Sequence, residues 1–380
     1  MRGLNIEDCP HRPPCPGCPR YAEPGIAAAA AQGLARIAAA HGLGPVERRG
    51  GPALRFRHRA RLAIRGRIGS PKIGLFELGT HHVVHTPNCR VHHPLINEVA
   101  AQVRGALVET GTGCYSDRHH LGLVRHLQVV VERRSQTAQV VLVANAPEPA
   151  PLGACLERIR ERLGARLHSL WFNSNERPTN AILGERFDRW CGPPCVVERF
   201  GGAEVHYPPG AFGQNNLAMA EALIGELRAE LPRGARVVEY YAGVGAIGLS
   251  LLDRVESIAL NEVSPQSLLG LESGLAGLSA ADRARIRILV GPAGEAIDAL
   301  ADADVVVADP PRKGLDPPLR SALVERPPRR LYYASCGLES FAADLAVLTG
   351  SGRLRLAALT AFDFFPYTEH VETLARFERV

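Results

Sequence analysis

Four stretches in the C-terminal half carry residues that could do covalent chemistry. Cys336 ends the apolar segment RLYYAS and precedes GLESFAADLAVL, whose spacing predicts a helix, so its thiol sits where a strand gives way to a helix. The partial positive charge of a helix N-terminus favours thiolate, which predicts a lowered pKa for this cysteine. On its own such a residue reads as a small buried apolar side chain. Its company reverses that reading. Asp309 follows the apolar run DVVVA and is held by Pro310 and Pro311, with Arg312 next. His370 and Glu372, two apart in a predicted strand, would face the same way, and a carboxylate there could act as general base.

The fourth stretch is a glycine loop. VVEYY runs into Ala242-Gly243-Val244-Gly245, and a helix is predicted over 246–252. Glycines let a ligand approach the backbone and the helix start. Glu262 ends the next predicted strand, where a carboxylate can accept ribose hydroxyls. The pattern is literally GxGxxG, so a nicotinamide-dependent oxidoreductase is one reading. Glu239, at the end of the first strand, and the Asp-Pro-Pro-Arg turn have no place in it.

The elements that must position these residues alternate. From residue 211 onward, strands such as RVVEYYA, SIALNE, RIRILVG, DVVVADP and RLYYAS alternate with helices, which predicts an α/β, Rossmann-like doubly wound parallel sheet. Upstream, LRFRHRARLAIRG, KIGLFEL, HLQVVVERR and AQVVLVAN read as strands, with helices near 95–107 and 152–163, a β-rich α+β domain. The boundary is placed near 210, giving domains 1–210 and 211–380, with helix 26–41 a candidate to pack on the second.

Composition agrees with two domains: 380 residues, 46% hydrophobic and 22% charged, which excludes a disordered or fibrous chain. No apolar run reaches membrane-spanning length, and MRGLNIEDCPHRPP has no apolar leader, so a soluble cytoplasmic protein, probable monomer aside from its substrate, is expected. The net charge of +5 is unevenly placed. Nine of the 44 Lys and Arg fall between Arg48 and Lys72 with no Asp or Glu among them, so the remainder is net acidic. Arg55, Arg57, Arg59, Arg61, Arg65 and Arg67 share one parity, while Phe56, Leu62 and Ile64 share the other. On a strand this predicts an arginine face suited to phosphates and bases of structured RNA. Nine cysteines, an odd count at irregular spacing, favour metal ligation or thiol chemistry over disulfides.

In order, Phe212-Gly213-Gln214-Asn215-Asn216, the glycine loop, DPPRKGL, Ser335–Cys336 and FPYTEHVE make the chain resemble the S-adenosylmethionine-dependent RNA uracil-C5 methyltransferases, which form 5-methyluridine. NSNERPTNAILGER and RFRHRARLAI extend the resemblance over nearly the whole chain. It implies Cys336 as nucleophile and Glu372 as base. Gln214, Tyr241, Gly243, Gly245, Glu262 and Asp309 would serve the S-adenosylmethionine and target-base pocket. It implies a [4Fe-4S] cluster on Cys9, Cys15, Cys18 and Cys89, with 23S rRNA favoured over tRNA and the β-barrel RNA-binding module of longer members missing. The cysteine spacing also admits zinc, which His81, His82, His85, His92 or His93 could help to ligate. Cys191 and Cys195 read as structural. The family usually has Asp at Glu239, Cys at Ala242, Asn at Gly337 and an acid or amide within VGPAGEAI. These departures leave a non-catalytic RNA-binding descendant as the alternative.

Overall fold

Two hydrophobic patterns, strand alternation upstream and buried parallel runs downstream, build two different sheets. The computed structural model describes residues 9–380; the reading of the chain start as lacking a leader falls partly on residues 1–8, outside that range. Contacts divide the chain into two units. One comprises residues up to Ala22, Pro52–Glu198 and Pro208–Gly210; the other comprises Glu23–Gly51, Arg199–Tyr207 and Ala211–Val380.

The chain opens with α1 (Ala28–Ala40) and β1 (Glu47–Arg49), both in the second unit. The first unit then holds β2 (Arg59–Arg67), β3 (Ser70–Phe76), β4 (Val83–His85), α2 (Pro94–Glu109), β5 (Val124–Glu132) and β6 (Thr137–Ala144). It continues through α3 (Gly153–Leu163), β7 (Leu167–Ser174) and β8 (Arg186–Cys191). A hairpin of β9 (Val196–Phe200) and β10 (Ala203–Tyr207) carries the chain onward. The second unit resumes with α4 (Leu217–Glu230), β11 (Ala235–Tyr240), β12 (Val255–Glu262), α5 (Pro265–Ala276), α6 (Ala280–Ala284) and β13 (Ile286–Val290). It ends with β14 (Val305–Ala308), α7 (Pro317–Glu325), β15 (Arg330–Ser335), α8 (Leu338–Gly350), β16 (Leu354–Phe362) and β17 (Glu372–Arg379).

In the first unit the sheet order is β4-β3-β2-β5-β6-β7-β8. Its pairs are antiparallel except β6 with β7, which α3 connects as a crossover. Alternation sends Ala60, Leu62 and Ile64 of β2 into a core with Val129 and Val131 of β5 and Leu95, Ile96 and Val99 of α2. Each such aliphatic side chain contributes roughly 1.5–3 kcal/mol on burial. The strand predicted from residue 54 begins only at Arg59. Arg55 has φ +58 and Arg57 makes an isolated parallel bridge to His92, so the chain there is a separate connection.

In the second unit the order is β1-β16-β17-β15-β14-β11-β12-β13. The strands from β15 to β13 are parallel neighbours, while β17 runs antiparallel to both β15 and β16. Parallel neighbours place the loops after β11, β14 and β15 on one edge, the edge where such sheets bind ligands. Strands buried on both faces must be apolar throughout, as Val305–Ala308 is. Alanine-rich α1 buries Leu34 and Ala38, and its Gly33 lets Leu338 of α8 approach within 2.9 Å of where a Cβ would stand. Among the described residues no helix is long and apolar enough to cross a membrane.

Candidate active site

The loop after β11 is shaped by left-handed backbone. Tyr241, Gly243 and Gly245 have φ of +62, +59 and +83. Glycine adopts that conformation freely; a tyrosine there is strained and must be held. Its hydroxyl accepts a hydrogen bond from the Asp316 amide at 2.9 Å, which ties it to the loop after β14. Glu262 holds the other side. One carboxylate oxygen accepts the Gly243 amide at 2.7 Å, and the second accepts the Val263 and Ser264 amides at 2.8 and 2.6 Å. A Cβ on Gly248 would stand 2.3 Å from the Glu239 Oε2 atom and 2.4 Å from Leu260, so this glycine serves close packing. The helix predicted over 246–252 is a single 3-10 turn, Gly248–Leu251, because β12 starts at Val255 and leaves no room for more.

A narrow cleft of about 80 Å³ opens beside this loop. Gln214, Tyr241, Gly243, Asp309, Glu372 and Glu239 line it, together with aromatic rings. Gly245, Glu262 and Cys336 do not line it, although Cys336 feels the charges of Glu372 and Asp309. The lining holds three carboxylates and no Lys, Arg or His. Asn216 pins the Gln214 segment: its side chain accepts from the Met219 amide and donates to the Phe364 carbonyl, each at 3.3 Å.

Burial governs the titration of this cluster. It pushes Asp309 up to about 7. It lifts Glu372 to about 8, helped by the Asp309 charge and opposed by Arg312. Cys336 rises to about 11 through burial, then Glu372 and Asp309, with Arg312 opposing. Glu239, 1% exposed, is driven well above the carboxylate range by burial and by Asp309, and its Oε2 has no hydrogen-bond partner. The lowered pKa expected for Cys336 is therefore overturned. Cys336 precedes the N-cap Gly337 of α8, and desolvation with two neighbouring acids outweighs the helix terminus.

Glu372 opens β17 and is 5% exposed, whereas His370 lies before the strand, exposed, with its Nε2 atom 3.4 Å from the Arg312 guanidinium. The two do not share a strand face as expected, because the strand starts after His370. Asp344 was missed. It is buried in α8 and accepts from the Leu315 amide, the Tyr333 hydroxyl and Arg320 at 2.8, 2.7 and 2.8 Å, fixing the loop after Asp309. An acid inside the apolar run FAADLAVL was its signal. At Gly337 a Cβ would stand 2.7 Å from the Ser340 hydroxyl and 3.0 Å from the Arg312 carbonyl, so an asparagine there would need this loop to move.

In the first unit Cys9, Cys15, Cys18 and Cys89 line one cavity of about 180 Å³. Arg12, Arg57, Arg61 and Arg90 line it too, and no carboxylate does. Burial, then Cys89, pushes the Cys18 thiol up to about 12. Among the described residues, no three His, Cys, Asp or Glu side chains are gathered tightly enough to hold a metal ion. A single zinc needs all its sulfurs about 2.3 Å from one point. The four thiols share this cavity wall with the four arginines. Of the candidate histidines only His92 lines the cavity; His93 caps α2 and the His85 ring bonds the Ile73 backbone.

The chain's last 86 or so residues, 295–380, match the family model described as tRNA (Uracil-5-)-methyltransferase. An RNA methyltransferase of Protochlamydia amoebophila is 34% identical over 379 residues, covering 98% of this chain and 97% of the relative. One of Thermosynechococcus vestitus is 31% identical, covering 84% and 71%. The chain belongs to the same family as these RNA methyltransferases. A solved tRNA (uracil-54, C5)-methyltransferase of Pyrococcus abyssi, in complex with S-adenosyl-L-homocysteine, shares the fold of this methyltransferase. It superposes with a TM-score of 0.72 at 22% identity, covering 90% of this chain and 81% of that one.

The arginine row of this methyltransferase is not one continuous face. Arg55 lies outside the strand, Arg57 lines the thiol cavity, and Arg61 donates to the Gln128 side chain at 2.8 Å. Arg65 is buried, paired with Asp117 at 2.6 and 2.8 Å and bonded to two carbonyls. Arg59 belongs to β2, and Arg67 ends it, exposed. Neighbouring elements supply partners that the local alternation could not reveal.

Proposed function

We propose that this methyltransferase moves a methyl group from S-adenosylmethionine to C5 of one uridine in structured RNA. The observation that carries the reading is the acidic cleft of Glu372 and Asp309 beside the left-handed glycine loop, with Cys336 close enough to feel both charges. Three carboxylates in a cleft lined by no basic side chain, one with an orphaned oxygen, suit a cationic ligand. S-adenosylmethionine, held by Gln214, Tyr241, Gly243, Gly245, Glu262 and Asp309, would supply the electrophilic methyl group.

Uracil C5 is a weak nucleophile. Cys336, once deprotonated, adds through Sγ to C6, and the C5–C6 π electrons shift into an enolate over C5, C4 and O4. C5 would then bond to the methyl carbon as the methyl–sulfur bond breaks, its electron pair staying on sulfur and leaving S-adenosylhomocysteine. Glu372 takes the C5 proton, the freed pair restores the C5–C6 double bond, and Cys336 leaves as thiolate. A carboxylate with its pKa lifted to about 8 is a far stronger base, when ionised, than an ordinary glutamate. Arg312 is the cation that opposes the raised pKa of both groups. The target base must leave its stack to reach the thiol.

Cys9, Cys15, Cys18 and Cys89 would hold a [4Fe-4S] cluster, and would thereby tie the N-terminal segment to the rest of the first unit. The resemblance to cluster-bearing members favours 23S rRNA over tRNA as substrate, with the exposed Arg67 at the end of β2 open to RNA. The test is transfer of labelled methyl from S-adenosylmethionine to unmodified 23S rRNA and tRNA transcripts, beside Cys336→Ala. Label at C5 of one uridine, lost in the variant, is expected. Label that survives in Cys336→Ala removes the covalent route, and no label on either RNA removes the substrate class.

A further inference from the structure

A second basic site lies at the opposite edge of the methyltransferase sheet. A cavity of about 430 Å³ spans the starts of β11, β14 and β15 and the end of β17, four neighbouring strands. It is lined by Arg233, Arg329, Arg330 and Arg379, with Asp304 and Glu378 as its acids. Those acids are already engaged. Asp304 accepts from the Arg236 amide at 3.1 Å and from its guanidinium at 3.2 Å, and Glu378 pairs with Arg355 and, at 3.6 Å, with Arg376. Arg330 donates to the Glu230 carbonyl at the end of α4. Arg233, Arg329 and Arg379 remain exposed, and Arg329 feels only the charge of Asp304, which Arg236 already pairs. The volume is that of a small-molecule site, and its polar, arginine-rich wall excludes an apolar occupant.

We propose that this cavity binds phosphate groups, through Arg233, Arg329 and Arg379. Guanidinium forks match phosphate oxygens two at a time, and three of them on one concave surface can hold a group of more than one negative charge. The six residues of β15 separate this edge from Cys336 by about 20 Å. A structured RNA reaches that far, so the phosphates can come from the substrate's backbone outside the target loop. They can equally come from a free polyphosphate. The first source rests on the RNA-substrate reading; the second does not.

Two arms separate the sources, each run on the full-length protein and on the Arg233→Gln, Arg329→Gln, Arg379→Gln triple variant. Calorimetric titration with inorganic pyrophosphate reads the free anion. Affinity for unmodified rRNA and tRNA transcripts across a salt series reads the backbone. Loss of three phosphate contacts should reduce the slope of log affinity against log salt by about two to three, with a raised KM for RNA. An unchanged S-adenosylmethionine affinity and melting temperature report that the variant is folded. A lower slope supports the RNA source. Pyrophosphate binding weakened about tenfold or more, with an unchanged slope, supports the free-anion source. Unchanged behaviour in both arms overturns the proposal, whether or not the protein methylates RNA.

Discussion

The two cavities that carry the chemistry have opposite linings. The cleft in the second unit has three carboxylates and no basic side chain; the thiol cavity in the first has four arginines and no carboxylate. Each lining gathers like charges, which in a confined space raise or lower one another's pKa. In the cleft the acids respond by holding protons near neutral pH. Arginine cannot release its proton in the same way, so the second cavity must instead be balanced by negative charge. Deprotonated thiols on a metal cluster would provide it. A ligand's sign is therefore legible from the wall before its identity is.

The sharpest way to break the contrast is to neutralise one acid. Glu372→Gln should lower methyl transfer by roughly 10²–10⁴-fold and leave RNA attached to Cys336, visible as a denaturant-resistant band. Turnover at the parent rate would show that another group takes the C5 proton. In the other cavity, Cys18→Ser should strip bound metal and visible absorbance from anaerobically purified protein. It should also lower the melting temperature of the first unit by several degrees, since metal binding to such sites is folding free energy. Full metal content in that variant would separate these cysteines from any cluster.

The smallest effect is in the pH dependence of the ligand-free protein. Glu372 and Asp309 have folded-state pKa values above their unfolded ones, so folding favours their protonated forms. Their contribution is fully present below about pH 4 and is lost as pH rises through about 7 for Asp309 and about 8 for Glu372. Melting temperature should fall between mildly acidic and mildly alkaline buffer, by an amount worth a few kcal/mol at most. Glu372→Gln should flatten that fall; an identical slope in the variant would place the titration elsewhere.

Much of this was written locally in the chain. Fully buried parallel strands read as apolar runs, which is why DVVVA and RLYYAS located Asp309 and Cys336 at the ligand edge. Other features depend on partners far away in sequence. The Arg65 guanidinium looked free until Asp117, from another element, closed on it. The Cys336 pKa was set by burial, with acids after β14 and at the start of β17 adding to it, and not by its own helix. Tyr241 gave no sign of its left-handed backbone, since nothing in its type requires one. His370 and Glu372 were separated by a strand boundary, the feature a periodicity locates least well.

The edge strand β1 has a peculiar history during synthesis. Glu47–Arg49 is made well before its partners, Thr360–Phe362. In between, the entire seven-stranded sheet is made, so it must fold as an insertion while α1 and β1 wait. A fragment beginning near residue 211 would be born without them and would leave the edge of β16 unpaired, a template for association with other chains. Closure of the methyltransferase sheet is thus the slowest kind of contact to form, one that joins segments far apart along the polypeptide.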